Sequence, residues 1–170
     1  MRYETELRNK NRGYMNLIVW QKAMDLFGLV WQLIDEEAKI DFKLRSQLAD
    51  ATQSISANIS EGYGRRSINE YIQFLYYALG SMAETTTRAI GLNQTKQISD
   101  ARFHDLDVFH YEVENCLLRL IEKLEQKRDK GEGTSRIAED DEDPDLLFLL
   151  QHSNTPPLHY SITTSARTNA

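Results

Sequence analysis

Four stretches of this chain repeat apolar side chains every three or four residues, with short polar connections between them, and few folds accept that pattern. In the first stretch, over about residues 17–37, Leu17, Trp20, Met24, Phe27, Trp31 and Ile34 stand 3, 4, 3, 4 and 3 apart. On a helix of 3.6 residues per turn they form one stripe, which Ala23 and Val30 widen. The second, over about residues 42–61, carries Leu44, Leu48, Ala51, Ile55 and Ile59 behind Asp41, a plausible N-cap. Gly62 or Gly64 is expected to supply a left-handed residue at its end. The third, over about residues 68–92, opens with Ser67 and Glu70 at capping-box spacing and carries Tyr71, Phe74, Leu75, Ala78, Leu79 and Met82. Thr85, Thr86 and Thr87 have poor helix propensity, so the end of this helix should depend on tertiary packing. The fourth, over about residues 100–130, is capped by Ser99 or Asp100 and carries Leu106, Phe109, Val113, Cys116, Leu117, Leu120, Ile121 and Leu124. Lys123, Lys127, Arg128 and Lys130 crowd its C-terminal end, where they oppose the helix dipole.

Short connections force consecutive helices to lie antiparallel, so the predicted architecture is an all-α, up-down-up-down four-helix bundle over residues 14–130. Residues 1–13 read as a flexible N-terminus. Residues 131–170 read as an acidic, low-complexity tail, disordered and dispensable for the fold. Within it, Leu146, Leu147, Phe148, Leu149 and Leu150 form a patch long enough for one helical turn or a docking peptide. A weak eight-residue repeat follows, realigning residues 150–155 with residues 158–163.

Charge is unevenly shared. Seven carboxylates against two arginines give residues 131–170 a net of −5, which leaves −1 for residues 1–130 out of −6 overall. Proteins that grip nucleic acid by neutralising phosphates usually carry a basic excess, and the predicted bundle has none. The single cysteine, Cys116, excludes an intramolecular disulfide and fits a reducing compartment. No stretch approaches the roughly 20 apolar residues that span a bilayer, and residues 1–12 lack a signal-peptide core. A cytoplasmic location without membrane contact is expected.

Signals for chemistry are weak. His104 and His110 lie on different faces of one helix, and no Glu-x-x-His pair exists. His110 and Glu114 read as a surface pair. Cys116 sits in an apolar stripe and reads as a buried, inert thiol. Gly62-Tyr63-Gly64 follows a helix, not a strand, and so does not read as a dinucleotide cradle. No catalytic, metal or cofactor site is expected, and the chain reads as a non-enzyme.

Two features stand out. A polar stripe on the second helix, Gln47, Asp50, Ser54, Asn58 and Glu61, leads into Arg65 and Arg66. Asn58 and Glu61 either bond across the bundle or, with Arg65 and Arg66, present a contact surface for a partner or nucleic acid. Gly80, inside the third helix and beside Ser81, costs about 1 kcal/mol against alanine and suits close helix packing, within one subunit or between two.

Taken together, these motifs resemble a known family. Asn16-Leu17-Ile18-Val19-Trp20-Gln21-Lys22-Ala23, then Gln47-Leu48, then Ser54-Ile55-Ser56-Ala57-Asn58-Ile59-Ser60-Glu61-Gly62-Tyr63-Gly64-Arg65 look like the bacterial four-helix-bundle proteins encoded in 23S rRNA intervening sequences. Phe74-Leu75, Ala78, Gly80-Ser81 and Glu84 continue the likeness, which covers about residues 14–127. Ser56 stands where the family usually has proline, and Ser60 where it has alanine. Asp50, Ala51 and Thr52 replace its basic and small residues. The resemblance implies a homo-oligomer, typically a homopentamer, and a link to RNA. It also implies kinship with accessory proteins of diversity-generating reverse transcriptases. The expected function is a homo-oligomeric interaction or scaffold protein associated with rRNA intervening sequences or a ribonucleoprotein. The alternative is a direct RNA- or DNA-binding accessory protein whose local basic patch draws on Arg2, Arg8, Lys10, Arg12, Arg65 and Arg66.

Overall fold

A computed structural model describes residues 10–36, 40–65 and 67–131. The expected disordered tail lies outside these residues from position 132 onward, and the expected flexible N-terminus does so up to position 9. Lys10–Asn16, in contrast, forms a 3-10 helix that leads into the bundle, so the ordered part begins before residue 14. A Cβ on Gly13 would stand 2.0 Å from the Tyr63 hydroxyl, so only glycine lets this turn lie against the ring.

Four helices follow: α1 (Ile18–Glu36), α2 (Phe42–Tyr63), α3 (Ile68–Gln94) and α4 (Asp100–Asp129). They form the expected up-down-up-down bundle, in which α2 and α3 share the most extensive interface. The remaining pairs are α3 with α4, α1 with α2, and α1 with α4. Among the described residues there is no strand.

The caps explain most helix ends. The Asp41 side chain accepts from the Lys43 amide at 2.9 Å, and Ser99 accepts from the Arg102 amide at 3.2 Å. Ser67 caps α3 without a side-chain hydrogen bond, so the expected capping box with Glu70 is not formed. Neither Gly62 nor Gly64 is left-handed: Gly62 is helical, and the cap Gly64 has φ −72. Gly62 is required for another reason. A Cβ there would lie 2.8 Å from both Phe74 Cβ and Tyr71 Cδ2, so this glycine sets how closely α2 and α3 approach. The left-handed residue that sequence did not reveal is Lys96, with φ 57, in the α3–α4 turn. The Gln97 amide donates to the Leu92 carbonyl and the Lys96 amide to the Asn93 carbonyl, which is the Schellman arrangement. That turn drives Ile98 into the core beside Leu92.

The threonine run does not end α3. Thr85, Thr86 and Thr87 each return a hydroxyl to the carbonyl four residues back, at 2.9, 3.3 and 2.8 Å, and the helix continues to Gln94.

The interior consists of two apolar clusters. The first joins the start of α1 and α3 to the end of α2 and α4, around Ala23, Leu26, Ile55, Ile59, Leu75, Met82, Val113 and Leu117. The second occupies the other end, around Val30, Leu33, Leu48, Ala89, Leu92 and Leu106. The buried polar side chains are Thr52, Ser56, Thr85 and His110. Thr52, Thr85 and His110 lie where the two clusters meet along the helices.

Of the stripe expected on α1, Leu17, Trp20, Ala23, Val30 and Ile34 are buried, but the helix is turned slightly, so that the middle of that stripe faces outward. Val19, Ala23, Leu26, Val30 and Leu33 line the core, whereas Met24 and Phe27 are half-buried and Trp31 is 56% exposed. The chain carries two overlapping apolar stripes one residue apart. Leu26 and Leu33 fill the interior in the place of Met24, Phe27 and Trp31, while Trp20, near the start of the helix, keeps its indole in the core.

Candidate functional site

The polar stripe of α2 lies along its seam with α3, and much of it is occupied there. Gln47 accepts from Arg88 Nη1 at 2.9 Å, and Arg88 Nε also donates to Glu84 at 3.0 Å. Asn58 donates to the Ser54 carbonyl at 2.8 Å and reaches Ser81 Oγ at 3.5 Å. Glu61 pairs with Arg65 one turn on, and the Arg65 guanidinium stands 4.5 Å above the Phe74 ring. Asn58 and Ser81 therefore bridge α2 and α3, while Glu61 and Arg65 form an exposed corner at the end of α2. Arg66 lies outside the described residues. The Glu61–Arg65 pair is solvated and so contributes about 0–1 kcal/mol to stability.

Gly80 and Ser81 part company. Ser81 faces α2, but Gly80 is exposed and has no neighbouring atom within 4 Å of a Cβ built there. The close packing expected at Gly80 does not occur within one protomer; the glycine that does pack closely is Gly62.

His110 is buried, which corrects its reading as a surface residue. Its Nε2 stands 2.8 Å from the Met82 carbonyl and 2.7 Å from Thr86 Oγ1. A carbonyl can only accept, so this network assigns the proton to Nε2. Thr52 Oγ1 donates to the Leu48 carbonyl at 2.7 Å and lies 3.5 Å from Thr85 Oγ1. Two neighbouring polar contacts thus sit along α3, one to α2 through Thr52 and Thr85 and one to α4 through His110, and together they form a polar layer. Its signal in the sequence was the placement of Thr52, Thr85 and His110 in register with the apolar stripes.

The α3–α4 groove beside this layer encloses about 640 Å³ and is lined by Ala83, Thr86, Thr87, Val108, His110 and Tyr111 with acidic residues of α4. None of its lining residues is lysine or arginine. Cys116 is half-buried, and burial pushes its thiol up despite Lys22 and Arg119 nearby, which keeps it protonated and unreactive at neutral pH. Among the described residues, no group of three or more His, Cys, Asp or Glu side chains is placed to hold a metal.

Large apolar side chains on the outside are the more informative feature. Trp31, Phe42 and Leu44 are exposed where α1 ends and α2 begins, Phe42 by 81%. Tyr76, Tyr77 and Ile90 of α3 and Val108, Tyr111 and Leu118 of α4 are exposed as well. The exposure of Trp31 and Leu44 corrects their places in the expected apolar stripes of α1 and α2, since hydrophobicity alone does not tell which turn of a stripe the neighbours cover. No helix among the described residues is long and apolar enough to cross a membrane.

Comparison with known proteins bears on the same residues. The family model described as "23S rRNA-intervening sequence protein" matches residues 15–119. A crystal structure of a protein with unknown function, from the S23 ribosomal protein family of Bacteroides thetaiotaomicron, has the same fold with a TM-score of 0.57 at 23% identity. The match covers 61% of this chain and 98% of that one. No curated protein matches the chain.

Proposed function

The chain belongs to the 23S rRNA-intervening sequence protein family, and on that premise we propose that it is a non-enzymatic scaffold that assembles with copies of itself, as a homopentamer, in association with rRNA intervening sequences or a ribonucleoprotein. The observation that carries this reading is the exposure of Trp31, Phe42 and Leu44 at one end of the bundle. A monomer gains nothing by presenting an indole and a phenyl ring to water, whereas a second copy covering them removes that area from solvent. A patch that fits another part of the same chain builds a ring where the rotation between copies closes.

Multi-angle light scattering of the purified chain tests this. The expected mass is about five times the 19.7 kDa protomer, and the Trp31→Ser/Phe42→Ser double variant should fall to the protomer mass with its helical circular dichroism unchanged. A strict monomer at micromolar concentration would sink the proposal, and an intact oligomer in the double variant would move the interface elsewhere.

Direct nucleic-acid contact through the Glu61–Arg65 corner finds less support, because Arg65 is already engaged by Glu61 and Phe74. An absence of RNA binding even at low salt, where phosphate contacts are strongest, would eliminate that reading altogether.

A further inference from the structure

The α3–α4 groove is rich in groups that accept hydrogen bonds and poor in groups that donate them. His110 is only 5% exposed, and its Nε2 proton serves the Met82 carbonyl and Thr86 Oγ1. Nδ1 is therefore a bare lone pair. It has no partner among the described residues, yet it is not sealed in, and the groove that His110 lines gives access to it. Thr86 and Thr87 turn their own hydroxyl protons back to the Met82 and Ala83 carbonyls, at 3.3 and 2.8 Å. Asp107 and Glu114 add two carboxylates that have no hydrogen-bond or ion-pair partner among the described residues. The third lining acid, Glu112, already pairs with Lys22 at 2.8 Å. Glu114 is half-buried, so its charge has given up part of its water without gaining a cation. Of the lining side chains, Tyr111 alone keeps a proton to offer.

Asp107, Tyr111 and Glu114 stand four and three residues apart on α4, so they share one face. The two acids leave the backbone about 10 Å apart along the helix axis, and the Tyr111 ring, 65% exposed, lies between them. Val108, Ala83 and the threonine methyl groups add apolar wall. We propose that this groove binds a linear aliphatic diamine, with one ammonium group at Asp107, the other at Glu114 and His110 Nδ1, and the methylene chain lying across Tyr111. Each ammonium brings three donors and no acceptor, which is the complement of the lining. The face of the Tyr111 ring attracts a cation as well. An anion would meet two carboxylates and a lone pair, all repulsive to it. A metal ion would need a closer set of ligands than the described residues provide. A monoamine would leave one carboxylate unmet. At about 640 Å³ the groove has the size of an ordinary small-molecule site.

The test is isothermal titration calorimetry of the full chain at low salt with putrescine, and with n-butylamine as the monoamine of equal carbon count. The expected result is saturable binding of one putrescine per protomer, at least tenfold tighter than n-butylamine. Asp107→Asn/Glu114→Gln should weaken putrescine at least tenfold, and Tyr111→Ser several-fold, with helical circular dichroism unchanged. Asp105→Asn removes a charge from the same helix outside the groove and should change the affinity less than twofold. An absence of saturable binding, or n-butylamine binding as tightly as putrescine, overturns the proposal. Undiminished binding in Asp107→Asn/Glu114→Gln also overturns it, because the diamine would then be held elsewhere, as by the six carboxylates of residues 139–145. A loss in Asp105→Asn equal to that in Asp107→Asn does the same, since it would report the net negative charge of the chain and not the groove. The readout does not depend on assembly, so failure here leaves the scaffold reading standing, and the converse holds.

Discussion

The two halves of the bundle interior are closed in different ways. At the end that holds the 3-10 helix and the α2–α3 connection, closure comes from rings. Tyr14 stands edge-on to Trp20 at 5.3 Å and to Tyr63 at 6.3 Å, and Tyr63 is edge-on to Tyr71 at 6.2 Å. At the other end closure comes from the connections, which turn Ile40 and Ile98 inward over Leu33, Leu48 and Leu92. The ring-closed end is fixed by shape, with Gly13 and Gly62 admitting no further atom. The loop-closed end is fixed by chain reversal, and it is there that Trp31 and Phe42 remain uncovered. A bundle can therefore close one end with packed rings and the other with its own connections.

Truncation inside the ring-closed half should give the largest effect. Leu75→Ala is expected to cost about 2–5 kcal/mol in urea unfolding, because Leu75 is fully buried among rigid neighbours. Ile98→Ala should cost less, because a turn relaxes into a void more readily than a helix; equal costs would erase the contrast between the halves. Gly62→Ala comes next, at about 1–3 kcal/mol, since the new methyl group must displace Phe74 or Tyr71. His110→Ala should cost about 1–3 kcal/mol by opening a cavity and removing the donor to Met82. Thr52→Val together with Thr85→Val, which replaces both partners, should stay under about 1 kcal/mol. The smallest effect has the opposite sign. Gly80→Ala should stabilise the protomer by about 0.4–1 kcal/mol, because nothing stands near the added carbon. A loss of stability there would mean that another copy packs against Gly80.

Much of this fold was legible because α-helical periodicity is a local property. Helix bounds for α2, α3 and α4 fall within two residues of expectation, and Asp41 and Ser99 cap as read. What escaped depends on neighbours distant in sequence. The choice between the two stripes of α1 turns on how much room α2 and α4 leave, which spacing alone does not encode. Gly62 and Gly80 look alike in sequence, and only the approach of α3 to α2 separates them. Lys96 was invisible because lysine carries no signal for a left-handed turn, whereas the contacts of Ile98 and Leu92 hold it there. At the candidate site, a bond from Asn58 across the bundle was one of two readings of the polar stripe and is found with Ser81, whereas Glu61, read with it, pairs instead with Arg65; the burial of His110 was not read, since histidine is as common outside as inside.

The buried hydroxyls and imidazole have a mechanical consequence. Smooth apolar surfaces alone would let one helix shift along another with little preference. Shifting α4 by one turn, about 5.4 Å, would bring Leu106 or Glu114 opposite Thr86, since both lie four residues from His110. Leucine offers the Met82 carbonyl no proton, and glutamate carries a charge into an interior that has no cation to meet it. Only one vertical alignment satisfies every member, so the helix tips sit at set heights and any surface assembled from them is held level.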